Sequence, residues 1–127
     1  MTEPGQTRLF AVRGAAQAER NESAAIVSAT EELMRELMER NSLEPEAMVS
    51  CVFTTTHDLD AQFPAVAARG VGLEQVPLLC AREIDVPGAM ERVIRVLVHY
   101  YAPEDHEPAH AYLGEAQELR SDLKAAQ

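Results

Sequence analysis

Between Asn21 and Ser42 the chain reads NESAAIVSATEELMRELMERNS, its one long stretch with helical periodicity. Most other apolar runs have the length and β-branched content of a strand. That imbalance constrains the fold more than any other feature. Ile26, Val27, Thr30, Leu33, Met34, Leu37 and Met38 form a single stripe, with Asn21 in position to cap the helix. Glu31–Arg35 and Glu36–Arg40 fall on the solvated side as i,i+4 pairs. Strand-like runs are RLFAVRGA (8–15), MVSCVFTTT (48–56), VPLLCAREI (76–84), the VIRVLV of residues 93–98, and HAYLGEA (110–116). A short helical stretch is expected from Pro64 to Arg69, and DVPGAM reads as a turn. The order β-α-β-(short α)-β-β-β predicts an α+β fold, a mixed five-stranded sheet with one long helix on one face. One helix of this length cannot cover both faces of such a sheet. The other face is also rich in Val, Cys, Phe and Leu, which predicts an oligomer whose subunits cover one another.

The length of 127 residues fits a single domain over 1–127, with residues 1–7 as an N-terminal extension and 119–127 as a flexible tail. With 21 acidic against 11 basic residues the net charge is −10. Such a surface repels phosphate backbones, so a nucleic-acid partner is not expected, although a small anion needs only two or three local arginines. No apolar run approaches the ~20 residues of a membrane span. MTEPGQT lacks the basic and apolar regions of a signal peptide, and Cys51 and Cys80 sit unpaired inside apolar runs. Together these predict a cytoplasmic protein with buried, reduced thiols.

Motifs for covalent or metal chemistry are few. There is no glycine-rich phosphate loop after a strand, no GxSxG and no HExxH. His106 and His110 lie beside Asp105 and Glu107, but Pro108 between them opposes helical i,i+4 ligation, and a solvated loop without metal is expected. His57 and His99 have no evident nucleophile to activate.

The chemically informative residues are arginines inside apolar strands. In ERVIRVLVHYY (91–101), Arg95 shares a face with Val93, Leu97 and His99, and Arg13 shares one with Leu9 and Ala11. Withdrawing an ion from water costs several kcal/mol unless it is paired. Two readings stay open on periodicity alone. Arg95 pairs with a carboxylate, for which Glu83 at the end of the third strand is the obvious candidate, or these arginines converge on an anionic ligand.

Six fragments in order, VRGA, DLDAQFPAVAAR, VPLLCAREIDVPG, RVIRV, HAYL and LRSDL, resemble the AroH-class chorismate mutases from about Arg8 to Leu123. The resemblance implies a homotrimer with a pseudo-α/β-barrel core, active sites between subunits, and the rearrangement of chorismate to prephenate in aromatic amino acid biosynthesis. No cofactor is implied. Carried over motif by motif, Arg95, Glu83 and Arg13 would be the catalytic residues and Tyr112 a substrate ligand. Phe63, Ala65 and Arg69 match a segment closing on the site from a neighbouring subunit. Leu78, Leu79 and Cys80 match the strand lining the pocket, and Leu119 with Arg120 a mobile C-terminal segment. Val66 and Ser121 depart from the pattern, where a longer polar side chain and a proline are familiar. Two other readings are an imine-deaminase-like enzyme of related architecture and a trimeric regulatory module that binds an anionic metabolite.

Overall fold

A computed structural model describes residues 6–119. Its centre is a long antiparallel ladder. Strand β1 (Thr7–Gln17) pairs with β4 (Val93–Pro103) from Thr7 opposite Pro103 to Gln17 opposite Val93. Strand β2 (Met48–Thr55) runs antiparallel along the other side of β4, with a register shift between Met48 and Ser50. Strand β3 (Leu78–Arg82) extends β2 in parallel, and β5 (Ala111–Tyr112) adds to β1 in parallel. The five-stranded order is β3-β2-β4-β1-β5, so the mixed sheet expected from the sequence is present.

Helix α1 (Ser23–Arg40) lies on one face. Ile26, Thr30, Leu33, Met34 and Leu37 are buried, with Val27 and Met38 half-buried beside them, as the stripe predicts. They pack with the inward residues of the strands, Phe10 and Val12 of β1, Cys51 and Phe53 of β2, and Ile94, Val96, Val98 and Tyr100 of β4. The pairs Glu31–Arg35 and Glu36–Arg40 form at 3.3 and 2.7 Å. Helix α2 (Ala65–Gly70) buries Ala65, Ala67 and Ala68, and contacts α1 and β3. Among the described residues no helix is long and apolar enough to cross a membrane.

Three local expectations need correction. Asn21 does not cap α1: Glu22 holds the N-cap position without a side-chain bond. The Asn21 amide reaches Asp60 and Ala61 instead, its Oδ1 accepting both backbone N–H groups at 3.0 Å while its Nδ2 donates to Asp60 Oδ1 at 2.7 Å. HAYLGEA is a strand only at Ala111 and Tyr112. Gly114, at φ +55°, turns the chain into a 3₁₀ helix over Gly114–Leu119, whose Ala116 and Leu119 pack on Ala15, Val93 and Tyr112. Nor is His106 merely a solvated loop residue. It meets the hydroxyl of buried Tyr100 at 2.7 Å and stacks edge-on against Phe10 and Tyr100.

Gly14 marks where β1 is squeezed between β5 and α1. A Cβ there would lie 2.8 Å from the carbonyl oxygen of Ala111 and 3.0 Å from Leu33 Cδ1. The first contact is backbone and cannot rotate away. Gly14→Ala is therefore expected to destabilise the fold by about 1–3 kcal/mol, seen as a lower urea midpoint at fixed protein concentration.

Candidate active site

The face of the sheet opposite α1 carries the arginines. Partners in a ladder share a face, so the register brings Ala15, Arg95 and Thr54 into one row across β1, β4 and β2. Tyr112 stands beside Ala15 on β5, and Arg13 is two residues along β1 from it on the same face. Glu83 follows the last residue of β3, and its N–H continues the ladder by donating to the Thr55 carbonyl at 3.0 Å. The Glu83 carboxylate accepts from Thr54 Oγ1 at 2.9 Å and from Arg95 Nε at 3.2 and 3.0 Å.

The ion pair between Arg95 and Glu83 therefore exists, and it does not exhaust the arginine. These bonds engage only Nε, and the Arg95 side chain is 38% exposed against 17% for Glu83. A pair this open contributes little to stability. Its effect is to fix the plane of the guanidinium, with the Nη donors directed elsewhere.

The floor and rim of the Arg95 cleft come from the turn after β2 and the loop before β4. Thr56, Asp58, Glu83, Ile84, Val86, Met90 and Arg95 are among the residues enclosing a space of about 50 Å³. Burial alone would raise the Asp58 pKa. The Thr56 hydroxyl, the backbone N–H groups of Arg92 and of Asp58 itself, and His57 together outweigh it and hold the group below its ordinary 3.8. At the rim His57 Nδ1 lies 3.2 Å from Asp85 Oδ1, both well exposed.

The remaining candidate residues divide. Leu79 lies on the same face as Arg95 and is 63% exposed. Leu78 and Cys80 point to the helix side, where both pack against the main core. Cys80 is half-buried rather than buried, and lines a second cleft of about 410 Å³ with Phe63, Pro64 and Arg82. That cleft has no residue in common with the Arg95 cleft. Within one chain Phe63 is 67% exposed, Ala65 is buried and Arg69 is exposed on α2. Leu119 packs beside Tyr112 and Ala15, and Arg120 lies outside the described residues. His110, set aside as a metal ligand, accepts the Arg13 N–H through Nδ1 at 3.0 Å.

Two contributors escape a reading of the sequence. Thr54 and Asp58 sit in TTTHD, a polar run that looks like a strand end and a turn. Their relevance lies in partners at the ends of other strands, Glu83 just past β3 and Arg92 just before β4, 29 and 34 residues away.

Residues 9–123 match the family model for chorismate mutase type I. The chain belongs to that family. Chorismate mutase AroH of Thermus thermophilus is 45% identical over 119 residues, covering 91% of this chain and 97% of the relative. Chorismate mutase AroH of Bacillus subtilis (strain 168) is 37% identical over 115 residues, covering 88% and 90%. A solved chorismate mutase from Clostridium thermocellum superposes with a TM-score of 0.81 at 42% identity, covering 86% of this chain and 98% of that one. The α+β architecture is thus that of a chorismate mutase, and the match takes in all of the described strands after the first two residues of β1.

Two solution measurements test the electrostatics. Burial, aided by the nearby Cys80, pushes the Cys51 thiol up to about 12, so the native protein should release no more than one equivalent with a thiol reagent at pH 8 and two after denaturation. Because the folded Asp58 value lies below the unfolded one, its contribution to stability is present above about pH 4 and disappears as pH falls through the folded value. Urea midpoints should drop more steeply on acidification in the wild type than in Asp58→Asn.

Proposed function

We propose that this chain is an isomerase that converts chorismate to prephenate at the Arg95–Glu83 cleft, the step that leads toward phenylalanine and tyrosine. The observation that carries the reading is Arg95, held by Nε to Glu83 and still 38% exposed in the cleft that both residues line, in a member of the chorismate mutase type I family. The rearrangement is unimolecular and pericyclic. It asks for a folded dianion whose two ends meet, and for positive charge where the breaking ether bond sends electron density. Holding the reactive conformer is an orientation effect. A donor fixed in advance at the developing charge binds the transition state more tightly than the ground state.

In this reading Arg95 donates to the ether oxygen and to a carboxylate. Arg13 and Tyr112, which share its sheet face, hold a carboxylate. Glu83 accepts a hydrogen bond from the ring hydroxyl while its other partners keep it in place. Arg69 and Arg120 screen and gate the entrance and Leu79 and Leu119 line the pocket, while Leu78 packs in the core and Cys80 belongs to the separate cleft beside Phe63 that a neighbouring chain would bring to the site.

One chain does not complete this site. A space of about 50 Å³ is far below the 300–1,000 Å³ typical of ligand pockets. The face around it leaves Leu9, Leu79 and Tyr101 exposed and Val52 and Leu97 half-buried, an apolar surface with no α-helix over it among the described residues. Phe63 is equally bare beside its own, separate cleft. We therefore infer a homotrimer in which each chain's Phe63–Arg69 segment closes on the Arg95 cleft of a neighbour. A reducing cytoplasm suits the free thiols of Cys51 and Cys80.

The experiment is direct: purified protein is mixed with chorismate, and loss of chorismate is followed together with appearance of prephenate. Turnover above the spontaneous rate is expected. Binding without turnover would instead favour a regulatory module. Arg95→Ala should lose roughly 10²–10³ in rate, by the scale of removing one preorganised donor. Near-normal turnover by that variant would make Arg95 structural. Sedimentation equilibrium should give three times the 14.0 kDa chain mass.

A further inference from the structure

We propose that Asp58 is a positioning residue, whose carboxylate holds Arg92 in the left-handed backbone conformation from which β4 presents Arg95 to the cleft. The inference rests on the reading of Arg95 as the donor at the reacting atoms. Its own evidence is the loop that precedes β4.

Arg92 has φ +53°, a conformation that costs an ordinary side chain about 1 kcal/mol and that glycine adopts freely. Nothing in the arginine favours it, so its surroundings must impose it. The Arg92 N–H donates to both Asp58 oxygens, at 3.2 and 3.0 Å. The Arg92 carbonyl accepts from Ala18 N–H at 2.9 Å, and Arg92 Nε donates to the Ala18 carbonyl at 3.0 Å. The next residue is held by the same carboxylate at one remove. Thr56 Oγ1 donates to Asp58 Oδ1 and accepts from Val93 N–H at 3.0 Å, while Thr56 N–H donates to the Val93 carbonyl at 3.1 Å. Asp58 thus anchors two successive N–H groups, one directly and one through Thr56. Arg95 lies two residues beyond Val93 on the same face of the strand.

The charge of Asp58 needs a reason of its own. Its side chain helps to line the cleft that holds Glu83 and Arg95, and a second carboxylate there repels the dianion the cleft is read as binding. Duty as an acceptor supplies that reason, because the Thr56 hydroxyl and the Arg92 amide converge on it. An electrostatic role toward the substrate predicts a different pattern of variants.

Asp58→Asn keeps one oxygen able to accept from Arg92 and removes the charge, whereas Asp58→Ala removes both. If position is what matters, Asp58→Ala lowers kcat/KM by roughly 10- to 100-fold, mostly through kcat, and Asp58→Asn stays within about fivefold of wild type. Arg92→Gly adopts the left-handed conformation without a clamp, so adding it to Asp58→Ala should recover about tenfold. Should Asp58→Ala fail to fold alone, the double variant carries the same test, since restored folding and turnover are expected of it. Equal losses in the Asn and Ala variants, a lower KM with intact kcat in both, or no recovery on adding Arg92→Gly would each overturn the proposal. Amide exchange gives a readout independent of chorismate: Arg92 and Val93 should exchange faster in Asp58→Ala and remain protected in Asp58→Asn. A wild type inert toward chorismate would overturn the proposed function, and unchanged exchange in Asp58→Ala would overturn this inference.

Discussion

Among the described residues the α-helices cover one side of the sheet, the other meeting only the short 3₁₀ turn of Gly114–Leu119 at one end, and most of what is distinctive about the molecule follows. On the α1 side, Ile94, Val96, Val98 and Tyr100 of β4 are buried against Leu33, Met34 and Leu37 without a charged group among them. On the other side, the alternate residues of the same strand include Arg95 and His99, which no apolar core would admit unpaired. A strand with neighbours on both edges is the stiffest kind of support a chain can offer, since its backbone groups are engaged along its length. The guanidinium is therefore mounted on the most constrained strand while facing the least covered surface. In the function proposed above, that combination would let one fixed charge act in a site that becomes dry only when a neighbouring chain closes over it.

Glu83 is supported differently. It lies just past the edge strand β3, and the loop that follows it exposes Ile84, Asp85 and Val86. Its position depends on the Thr55 carbonyl, the Thr54 hydroxyl and Arg95 itself. The cation is thus set by the fold, and the carboxylate is set in large part by the cation. This ordering makes an ion pair compatible with the ligand site proposed above: pairing through Nε orients the fork and leaves its other donors without a protein partner among the described contacts.

How much of this was legible in the sequence depended on the range of each interaction. The α1 stripe and the strand alternation in RLFAVRGA and VIRVLV could be read because burial on one face repeats with a short period, whereas that period left the Glu83–Arg95 pairing as one of two open readings and only the structure shows it formed. Asn21 misled because a polar residue before a helical stripe looks like a cap, while its real partners stand 39 and 40 positions later. His106 reads as a solvent residue because Pro108 and its acidic neighbours mark a loop, and nothing local reveals that Tyr100 waits beneath it. The last strand shrank to two residues because Gly114 turns the chain, a choice that alternation in HAYLGEA cannot express. Within the site, Thr54 and Asp58 carry no periodic signature: Thr54 works through a hydrogen bond to the Glu83 carboxylate, and Asp58, although it heads DLDAQFPAVAAR, through bonds to the distant Arg92 backbone.

The tie between Asn21 and residues 60 and 61 has a consequence for how the molecule moves. Gln62 adds a bond from its Nε2 to Ser23 Oγ at 3.3 Å, so the start of α1 and the chain leading into Phe63 are joined by several hydrogen bonds rather than by one contact. The segment that bears Phe63 is therefore not a free flap. It is tied to the start of α1, so in the homotrimer proposed above its approach to a neighbour's cleft would be set by how the subunits sit against each other.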